Sequence, residues 1–287
     1  MRYQLLLCLC VTLLPLRSVS AEEANWTPLL SADLSKNWEL WYGTPEPSVT
    51  VPGYDPKVYN NKKKGKPIGL VDVNNDPLDL LTMMEEDGEP VLRISGEIYA
   101  GLTTLKEYEN YHISLQTKWG EKKWAPRLRA KRDSGLLLHC TGPHGAFWKV
   151  WMADIECQIQ ETDIADLYLL AGTGATTRAR KTSKGKPTYD PSGEAKDWKP
   201  RHAESEEKPN GQWNTVEAYV VDDDMVFLVN GKPVMAPLDC TFRGKKLAKG
   251  KIQIQSEGAE VFYKDLKIRP ISQFPEFLAD HVRPVSK

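Results

Sequence analysis

Apolar and polar residues alternate in a series of short segments along this chain, and this alternation constrains the fold more than any other feature. A period of two is typical of strands that bury one face, because successive side chains of a strand point to opposite sides. Turn residues bound the segments, and no stretch shows a sustained helical period. The pattern therefore predicts an all-β sandwich or barrel of antiparallel strands. The predicted strands are residues 91–95, 111–117, 135–140, 155–160, 215–221, 225–229, 251–255 and 260–268.

These strands are expected to form one domain. The chain has 287 residues, and its 20 glycines and 20 prolines suit many short elements joined by turns. Asn230-Gly231 lies between two strand-like runs, and this pair readily adopts the positive φ angles of a tight hairpin turn. Two polar segments, residues 52–67 and 172–211, interrupt the pattern as insertions. No linker separates two cores, so the sequence predicts a single domain.

The N-terminus has the pattern of a secretory signal peptide. Arg2 precedes an apolar run of about ten residues, 5–14, which Pro15 ends, and residues 19–21 form a small-residue cleavage site. A membrane span needs about 20 apolar residues, so the run is too short to be an anchor. The sequence therefore predicts a cleaved signal peptide at residues 1–21 and an exported protein, periplasmic or secreted. A second long apolar run is absent, so no membrane span is expected in the mature chain.

Charge and cysteine content exclude two further classes of protein. The 38 basic and 39 acidic residues give a formal net charge of -1, which argues against a nucleic-acid binder with a basic face. Beyond the signal peptide the cysteines are Cys140, Cys157 and Cys240, too few for a disulfide framework. We expect these thiols to be free and buried, because a cysteine on an apolar face behaves as a small hydrophobic residue.

One predicted strand, residues 155–160, carries a carboxylate and two amides on the same face. Alternation places Glu156, Gln158 and Gln160 on that face and turns Cys157 toward the core. Carboxylate and amide groups supply both acceptors and donors in fixed positions, which suits recognition of sugar hydroxyls. The sequence therefore predicts that Glu156 lies in a cleft on the outer face of a sheet.

Neighbouring segments extend this polar face. Alternation in residues 135–140 turns His139 outward, so we expect it beside Glu156 if the two strands are neighbours. Gln255 turns outward in the same way from residues 251–255. A solvated sheet face with tryptophans filling the core is the alternative interpretation. The tryptophans that flank these strands, and that suit stacking on a sugar ring, are Trp119, Trp124, Trp148 and Trp151.

Four segments of this chain resemble the 3-keto-disaccharide hydrolase family. The resemblance covers residues 25–271, which predicts a domain over that range and a C-terminal tail at residues 272–287. The chain departs from the family pattern at Asp133, where Asn is common, and at His139, where Arg is frequent. The segments are RDSGLLLHC (132–140), WMADIECQIQETDIADLYLL (151–170), GQWNTVEAYVVDDDMVFLVNGKPV (211–234) and GKIQIQSEGAEVFYKDLKIRP (250–270).

The resemblance implies a fold and a chemistry. The fold is a concanavalin-like jelly-roll β-sandwich of two antiparallel sheets, and the substrates are glycosides oxidised at C3 of the sugar. A ketone at C3 acidifies the hydrogen at C2, so one general base can start an elimination that releases the C1 substituent. Glu156 is the expected base, and His139 is its expected acid or polarising partner. The residues expected to bind the sugar are Gln158, Glu161, Asp166, Gln255, Trp148 and Trp151.

Three alternatives remain open at this stage. Laminarinase-type hydrolases share the jelly roll and carry Glu-x-Asp-x-x-Glu, but Gln158 replaces the central Asp here, so ordinary retaining hydrolysis is not favoured. A non-catalytic, lectin-like carbohydrate-binding domain fits the same polar face. No cofactor is evident, and a divalent cation held by His139, Glu156 and Glu161 is the alternative, although no compact metal motif is present.

Overall fold

The computed structural model describes residues 26–60, 65–183 and 185–283, so the predicted signal peptide lies outside the described residues. Almost all of the regular structure is β-strand, as predicted. The helices are α1 (Pro56–Tyr59) and two 3-10 helices, Leu34–Lys36 and Glu276–Leu278, and none of the described helices is long and apolar enough to cross a membrane. The described strands are β1 (Thr27–Pro28), β2 (Trp38–Tyr42), β3 (Gly69–Val71), β4 (Leu81–Glu86), β5 (Glu89–Ile94), β6 (Ala100–Thr104), β7 (Tyr111–Lys123), β8 (Asp133–Thr141), β9 (Ala153–Gln160), β10 (Leu167–Leu170), β11 (Thr173–Arg180), β12 (Thr188–Tyr189), β13 (Glu194–Lys196), β14 (Asn214–Val221), β15 (Asp224–Val229), β16 (Lys232–Met235), β17 (Leu238–Phe242), β18 (Lys245–Lys246), β19 (Lys251–Ser256) and β20 (Ala259–Pro270).

Two large antiparallel sheets form the body of the described fold. One has the strand order β16-β15-β14-β7-β20-β5-β4, with β1 also paired to β20, and is called the eight-stranded sheet. The other has the order β10-β9-β8-β19-β6-β2-β3 and is called the seven-stranded sheet. Each sheet combines strands that are consecutive in the chain with strands that are far apart in it, such as β7 with β20 and β8 with β19. The structure confirms the predicted all-β sandwich of two antiparallel sheets.

The inner faces of the two sheets bury one continuous apolar core. Each buried aliphatic side chain contributes about 1.5–3 kcal/mol to folding, so this layer holds the sheets together. The seven-stranded sheet contributes Leu102, Leu136, Leu138, Ile155, Cys157, Ile159, Ile252 and Ile254. The eight-stranded sheet contributes Leu92, Ile94, Ile113, Leu115, Val216, Ala218, Val261 and Tyr263.

The predicted hairpin is present at Asn230-Gly231. These residues have φ angles of 49° and 81° and connect β15 directly to β16. Both angles lie in the left-handed region, where glycine is free of strain and asparagine is better tolerated than most residues. The turn is therefore of the kind that the sequence indicated.

The segment 172–211 is only partly a loop. Its first half forms β11, which pairs with β12 and β13 and with β17, to make a small third sheet. The inward side chains of β11 are small, namely Ala175, Thr177 and Ala179, so the apolar alternation that marks the other strands is weak here. The segment that interrupts the sequence pattern as a polar insertion therefore contains strands in this half.

The described part of the C-terminal segment packs against the sandwich. Leu278, in the 3-10 helix that follows Pro275, is fully buried in the common core. Tyr189 Oη and His281 Nδ1 lie 2.8 Å apart, which ties this segment to the third sheet.

Candidate active site

A pocket of about 240 Å³ opens on the face of the seven-stranded sheet that is turned away from the core. Strands β8, β9, β10 and β19 supply its floor, and the segments before and after β8 supply its walls. It is lined by Arg127, Asp133, Phe147, Trp148, Trp151, Glu156, Gln158, Gln160, Tyr168, Leu170, Gln255 and Glu257. Five of the eight residues predicted to form the site are among them: Glu156, Gln158, Gln255, Trp148 and Trp151.

Strand alternation places Glu156 in this pocket as predicted. Cys157 lies in the core between the sheets, whereas Glu156 lines the pocket with only 3% of its surface exposed. Glu156 pairs with Leu137 on β8 and with Tyr168 on β10, so it is flanked on both sides by strands. The glutamate is therefore held in the middle of the sheet and is almost fully desolvated.

A glycine beside Glu156 makes room for its carboxyl group. A Cβ atom at Gly135 would overlap Glu156 Oε1 and would lie 2.7 Å from Gln255 Oε1. The Glu156 side chain thus lies across the backbone of β8 toward Gln255 on β19. A side chain at Gly135 would push both groups out of this arrangement, which accounts for glycine at this position.

One guanidinium group serves two of the buried carboxylates. Arg127 Nη1 lies 3.1 Å from Glu257 Oε1, and Arg127 Nη2 contacts the Asp133 carboxylate. Gln160 Nε2 donates to Asp133 Oδ2 at 2.7 Å. Glu156 has no such cationic partner among the described residues. The carboxyl groups of this pocket therefore differ in electrostatic environment.

The pKa values of these carboxyl groups are raised to different degrees. Burial raises the pKa of Asp133 to about 6, and the Arg127 charge opposes this rise. Burial and the Asp133 charge raise the pKa of Glu257 to about 8. Burial, followed by the charges of Asp154 and Glu257, raises the pKa of Glu156 well above its ordinary value. Asp133 therefore ionises at a lower pH than Glu257, and the surroundings of Glu156 favour its protonated form.

Several buried polar atoms of the pocket have no hydrogen-bond partner among the described residues. A buried polar atom without a partner costs free energy, and such atoms at a pocket wall are suited to bind a ligand rich in hydroxyl groups. The atoms are Asp133 Oδ1, Glu156 Oε1, Gln158 Oε1 and Gln255 Oε1.

His139 is not part of this pocket, contrary to expectation. The register of β8 against β9 shifts between Leu138 and Thr141, and His139 has a φ of 49°. This bulge turns the His139 ring toward Tyr111 of the other sheet, where its Nδ1 donates to Leu247 O at 3.1 Å. Burial lowers the pKa of His139 to about 4, so the ring is neutral. The predicted pairing of His139 with Glu156 is therefore not formed.

The bulge also moves Cys140 to the opposite face. Cys140 packs with Leu137 and Trp151 in a small apolar cluster on the outer face, instead of joining the main core. All three described cysteines are nevertheless buried and free, as predicted.

Glu161 and Asp166 also lie outside the pocket lining and hold the turn between β9 and β10. Glu161 accepts from Arg132 N at 3.1 Å, and Asp166 Oδ1 accepts from His202 N at 2.8 Å. Both residues therefore bind segments that are distant in the chain and do not line the pocket.

The alternative metal site is also not formed. His139 turns into the core and Glu161 pairs with Arg132, so neither lies with Glu156 at the pocket. In residues 26–60, 65–183 and 185–283, no group of three or more His, Cys, Asp or Glu side chains is arranged to hold a metal ion.

Sequence reasoning missed several residues of the pocket. Glu257 lies two positions after Gln255 and Asp133 two positions before Gly135, so alternation extended by one step in each strand would have found both. Arg127 comes from the segment between β7 and β8, where no periodicity indicates which way a side chain points. Its place beside the carboxyl groups follows only from the tertiary structure.

Replacing Glu257 with glutamine is expected to stabilise the protein at pH 8. The folded pKa of Glu257, about 8, exceeds its ordinary value of 4.5, so the folded state holds an extra proton between these values and loses stability as the pH rises. Glutamine cannot ionise and so avoids this loss. The free energy of unfolding at pH 8 is expected to rise by roughly 1–3 kcal/mol, after allowance for the lost Arg127 contact. Denaturant unfolding of the wild type and the variant at pH 4.5 and pH 8 measures this difference in stability.

Glu260 supplies the matched control. Burial raises the Glu260 pKa, but the Arg93 Nε contact at 2.8 Å to Glu260 Oε1 and hydrogen bonds from the Glu121 and Lys122 amides together outweigh it, so the net pKa is lowered. Glu260→Gln is therefore expected to destabilise the protein at pH 8. Equal losses of stability in both variants at pH 8 would contradict the raised pKa of Glu257.

Comparison with known proteins identifies the family. The sequence profile of the 3-keto-alpha-glucoside-1,2-lyase-like domain matches residues 25–269. No curated protein matches the chain at a significant level.

Comparison with solved structures gives matches at low sequence identity. A proposed glycosyl hydrolase from Parabacteroides distasonis is 17% identical with a TM-score of 0.45, over 86% of this chain and 100% of that one. A carbohydrate-binding module from Bacillus subtilis is 7% identical with a TM-score of 0.38, over 66% and 91% of the two chains. A β-glucanase from Bacillus licheniformis is 11% identical with a TM-score of 0.33, over 67% and 83%.

The family assignment rests on the sequence profile, which spans most of the chain and includes β8, β9 and β19, the strands of the pocket floor. It confirms the family that the four sequence segments indicated, and it supports a carbohydrate-active function. The chain belongs to the family of 3-keto-alpha-glucoside-1,2-lyase-like domains.

Proposed function

We propose that this protein cleaves glycosides that carry a ketone at C3 of the sugar, by elimination across C1 and C2. One observation carries the proposal: a single pocket holds Asp133, Glu156 and Glu257, whose pKa values differ. Carboxyl groups with separated pKa values can act as base and as acid at the same pH. The name of the family, a 3-keto-alpha-glucoside-1,2-lyase-like domain, supports the same chemistry.

Asp133 is the base in this proposal. The C3 ketone acidifies the hydrogen at C2, so a carboxylate of modest basicity is sufficient to remove it. Asp133 is ionised above a pKa of about 6, and the contact with Arg127 stabilises its charge. Its Oδ1 has no partner among the described residues and is free to accept the proton.

Glu156 is the acid in this proposal, which reverses the role expected from the sequence. A base must be ionised, whereas burial without a contacting cation raises the pKa of Glu156 and favours its protonated form. A protonated carboxyl group can donate to the oxygen of the departing group. Glu156 therefore suits protonation of the leaving group better than removal of the C2 proton.

The elimination balances without a further reactant. The C2 proton passes to Asp133, and its electron pair forms the enolate of the C3 ketone. Return of that pair forms the C1–C2 double bond while the C1–O bond breaks, and the departing oxygen takes the proton of Glu156. The products are an enone sugar and the free leaving group. Addition of water to the enone then gives the 3-keto sugar, which makes the overall result a hydrolysis.

Other residues of the floor are proposed to hold the sugar. Gln158 and Gln255 each have a buried Oε1 without a partner among the described residues, and such oxygens accept hydrogen bonds from sugar hydroxyls. Trp151 is almost fully buried beside them and supplies an apolar wall. These groups suit a polar ring with one apolar face.

Incubation with a 3-keto-disaccharide tests the proposal. Release of the second sugar is expected, while the unoxidised disaccharide remains intact because its C2 hydrogen is not acidic. In deuterated water, deuterium is expected at C2 of the product, since addition of water to the enone places a solvent proton there. Chromatography and proton NMR measure these outcomes.

A lectin-like binding domain is the competing function. It predicts binding of the 3-keto-disaccharide and of its unoxidised form without release of either sugar. Calorimetric titration beside the cleavage assay separates the two functions.

The proposal also includes export, for which the signal-like pattern of residues 1–21 is the support.

A further inference from the structure

Trp148 is displayed at the edge of the pocket instead of being buried. Its relative exposure is 64%, which is the largest value among the big apolar residues described. Trp148 and Lys149 have φ angles of 50° and 64°, in the left-handed region that side chains rarely adopt. A left-handed φ at a residue other than glycine costs of order 1 kcal/mol, so the backbone of this loop is strained where it places the Trp148 ring in solvent.

The loop that carries Trp148 is held in one arrangement. Phe147 N donates to Trp151 O at 2.9 Å, and Trp151 N donates to Phe147 O at 3.1 Å. Trp41 Nε1 donates to Lys149 O at 3.1 Å, which fixes the loop to β2. A ring that is fixed before binding loses little conformational entropy when it takes up a ligand.

Aromatic rings continue from Trp148 down to the pocket floor. Phe147 stacks on Trp148 with centroids 4.9 Å apart and an interplanar angle of 21°. Trp151 follows at 5.8 Å from Trp148, and Tyr99 stacks on Trp151 at 5.8 Å. The wall of the pocket is therefore an aromatic surface that begins in solvent and ends at the sugar site.

Tyr168 lines the same pocket from a different element. It lies on β10, the edge strand of the seven-stranded sheet, and is 36% exposed. Lys186 Nζ lies 5.5 Å from the centroid of its ring. Two exposed aromatic rings, Trp148 from a loop and Tyr168 from an edge strand, thus line the mouth of one pocket.

The polar side chains of the pocket lie deeper than these rings. Those that are at most 6% exposed are Asp133, Glu156, Gln158, Gln255 and Glu257. Arg127 and Gln160 are less buried, but both are engaged with Asp133. At the mouth, Trp148 and Tyr168 offer stacking surfaces, and the hydrogen-bonding groups beside them are the Tyr168 hydroxyl group and the Lys186 ammonium group.

We infer that the mouth of the pocket, formed by Trp148 and Tyr168, binds a flat aromatic leaving group, so that the substrates are 3-keto derivatives of aryl glycosides. A second sugar in this position would need more hydrogen-bonding partners than Tyr168 and Lys186 supply, whereas an aryl ring needs the stacking that Trp148 and Tyr168 supply. The inference rests on the proposed cleavage of 3-keto-glycosides and names its leaving group.

Two substrates with the same 3-keto sugar and anomeric configuration test the inference, one with a phenyl leaving group and one with a second sugar. The ratio of their kcat/KM values is compared between the wild type and Trp148→Ala, so the intrinsic reactivity of the leaving groups cancels. Trp148→Ala is expected to lower kcat/KM about tenfold for the phenyl substrate and less than about threefold for the disaccharide. Tyr168→Ala is expected to act in the same direction.

Phe277→Ala is the matched control, because Phe277 is 58% exposed and contacts Tyr219 of the eight-stranded sheet, away from the pocket. This variant is expected to leave both kcat/KM values unchanged. Equal losses for both substrates in Trp148→Ala would overturn the inference while leaving the proposed function intact.

Cleavage of neither substrate by the wild type would refute the proposed function but still leave the inference open to a direct test. Calorimetric titration with the unoxidised phenyl glycoside then tests whether the mouth of the pocket binds an aryl group. Binding that weakens about tenfold in Trp148→Ala supports an aryl site at the mouth. Equal binding by the wild type and the variant overturns it.

Discussion

Replacing Glu156 with glutamine is expected to lower kcat for a 3-keto-disaccharide by about 10²–10⁴-fold. Glutamine preserves the shape of the side chain but has no acidic proton to give to the departing oxygen. Because the proton moves in the transition state, KM is expected to change much less than kcat. Steady-state kinetics at pH 7 measure both parameters.

The leaving group distinguishes an acid from a base at this position. A 4-nitrophenyl group departs without protonation, so Glu156→Gln is expected to cleave the 3-keto 4-nitrophenyl glycoside at close to the wild-type rate. Glu161→Gln is the matched control, because Glu161 pairs with Arg132 and does not line the pocket. An equal loss for both substrates in Glu156→Gln would show that Glu156 removes the C2 proton, as the sequence first indicated.

Replacing Asp133 with asparagine is expected to lower kcat by about 10²–10⁴-fold for every leaving group, including 4-nitrophenyl. Without the carboxylate, the C2 proton has no base, so exchange of C2 hydrogen with deuterated water is also expected to cease. In the wild type, kcat/KM is expected to rise with pH through the Asp133 pKa of about 6, because the base must be ionised. Proton NMR of the substrate and a pH profile measure these effects.

Asp224→Asn is the matched control for the loss of a desolvated carboxylate. Burial raises the pKa of Asp224 as well, but this residue lies on β15 of the eight-stranded sheet. The control is expected to leave C2 exchange and the pH profile unchanged. Continued C2 exchange in Asp133→Asn would exclude Asp133 as the base and leave Glu156 and Glu257 as the carboxyl groups of the pocket that could remove the proton.

Much of the architecture was predictable from alternation because a strand buries one face and exposes the other. The predicted strands 155–160 and 251–255 correspond to β9 and β19, and Glu156 and Gln255 both line the pocket. The same rule did not identify β11, because its inward side chains are alanine and threonine. Alternation detects a strand only where the buried side chains are strongly apolar.

The failure at His139 has a local cause. One shifted register in β8 reverses the faces of the residues beyond it, so His139 enters the core and Cys140 joins the outer face. A bulge inserts one residue into the alternation, and no turn residue marks the position in this sequence. Alternation therefore predicts which face of the sheet a side chain lies on only up to such a bulge.

The sequence by itself determined the all-β class, the hairpin at Asn230-Gly231, the family and the face of β9 that carries Glu156, because each depends on local patterns of adjacent residues. Only the tertiary structure decided which groups act together. Arg127 meets Glu257 across 130 residues of chain. The pKa differences between Asp133 and Glu156 arise from burial and from such distant charges, so no local pattern contains them.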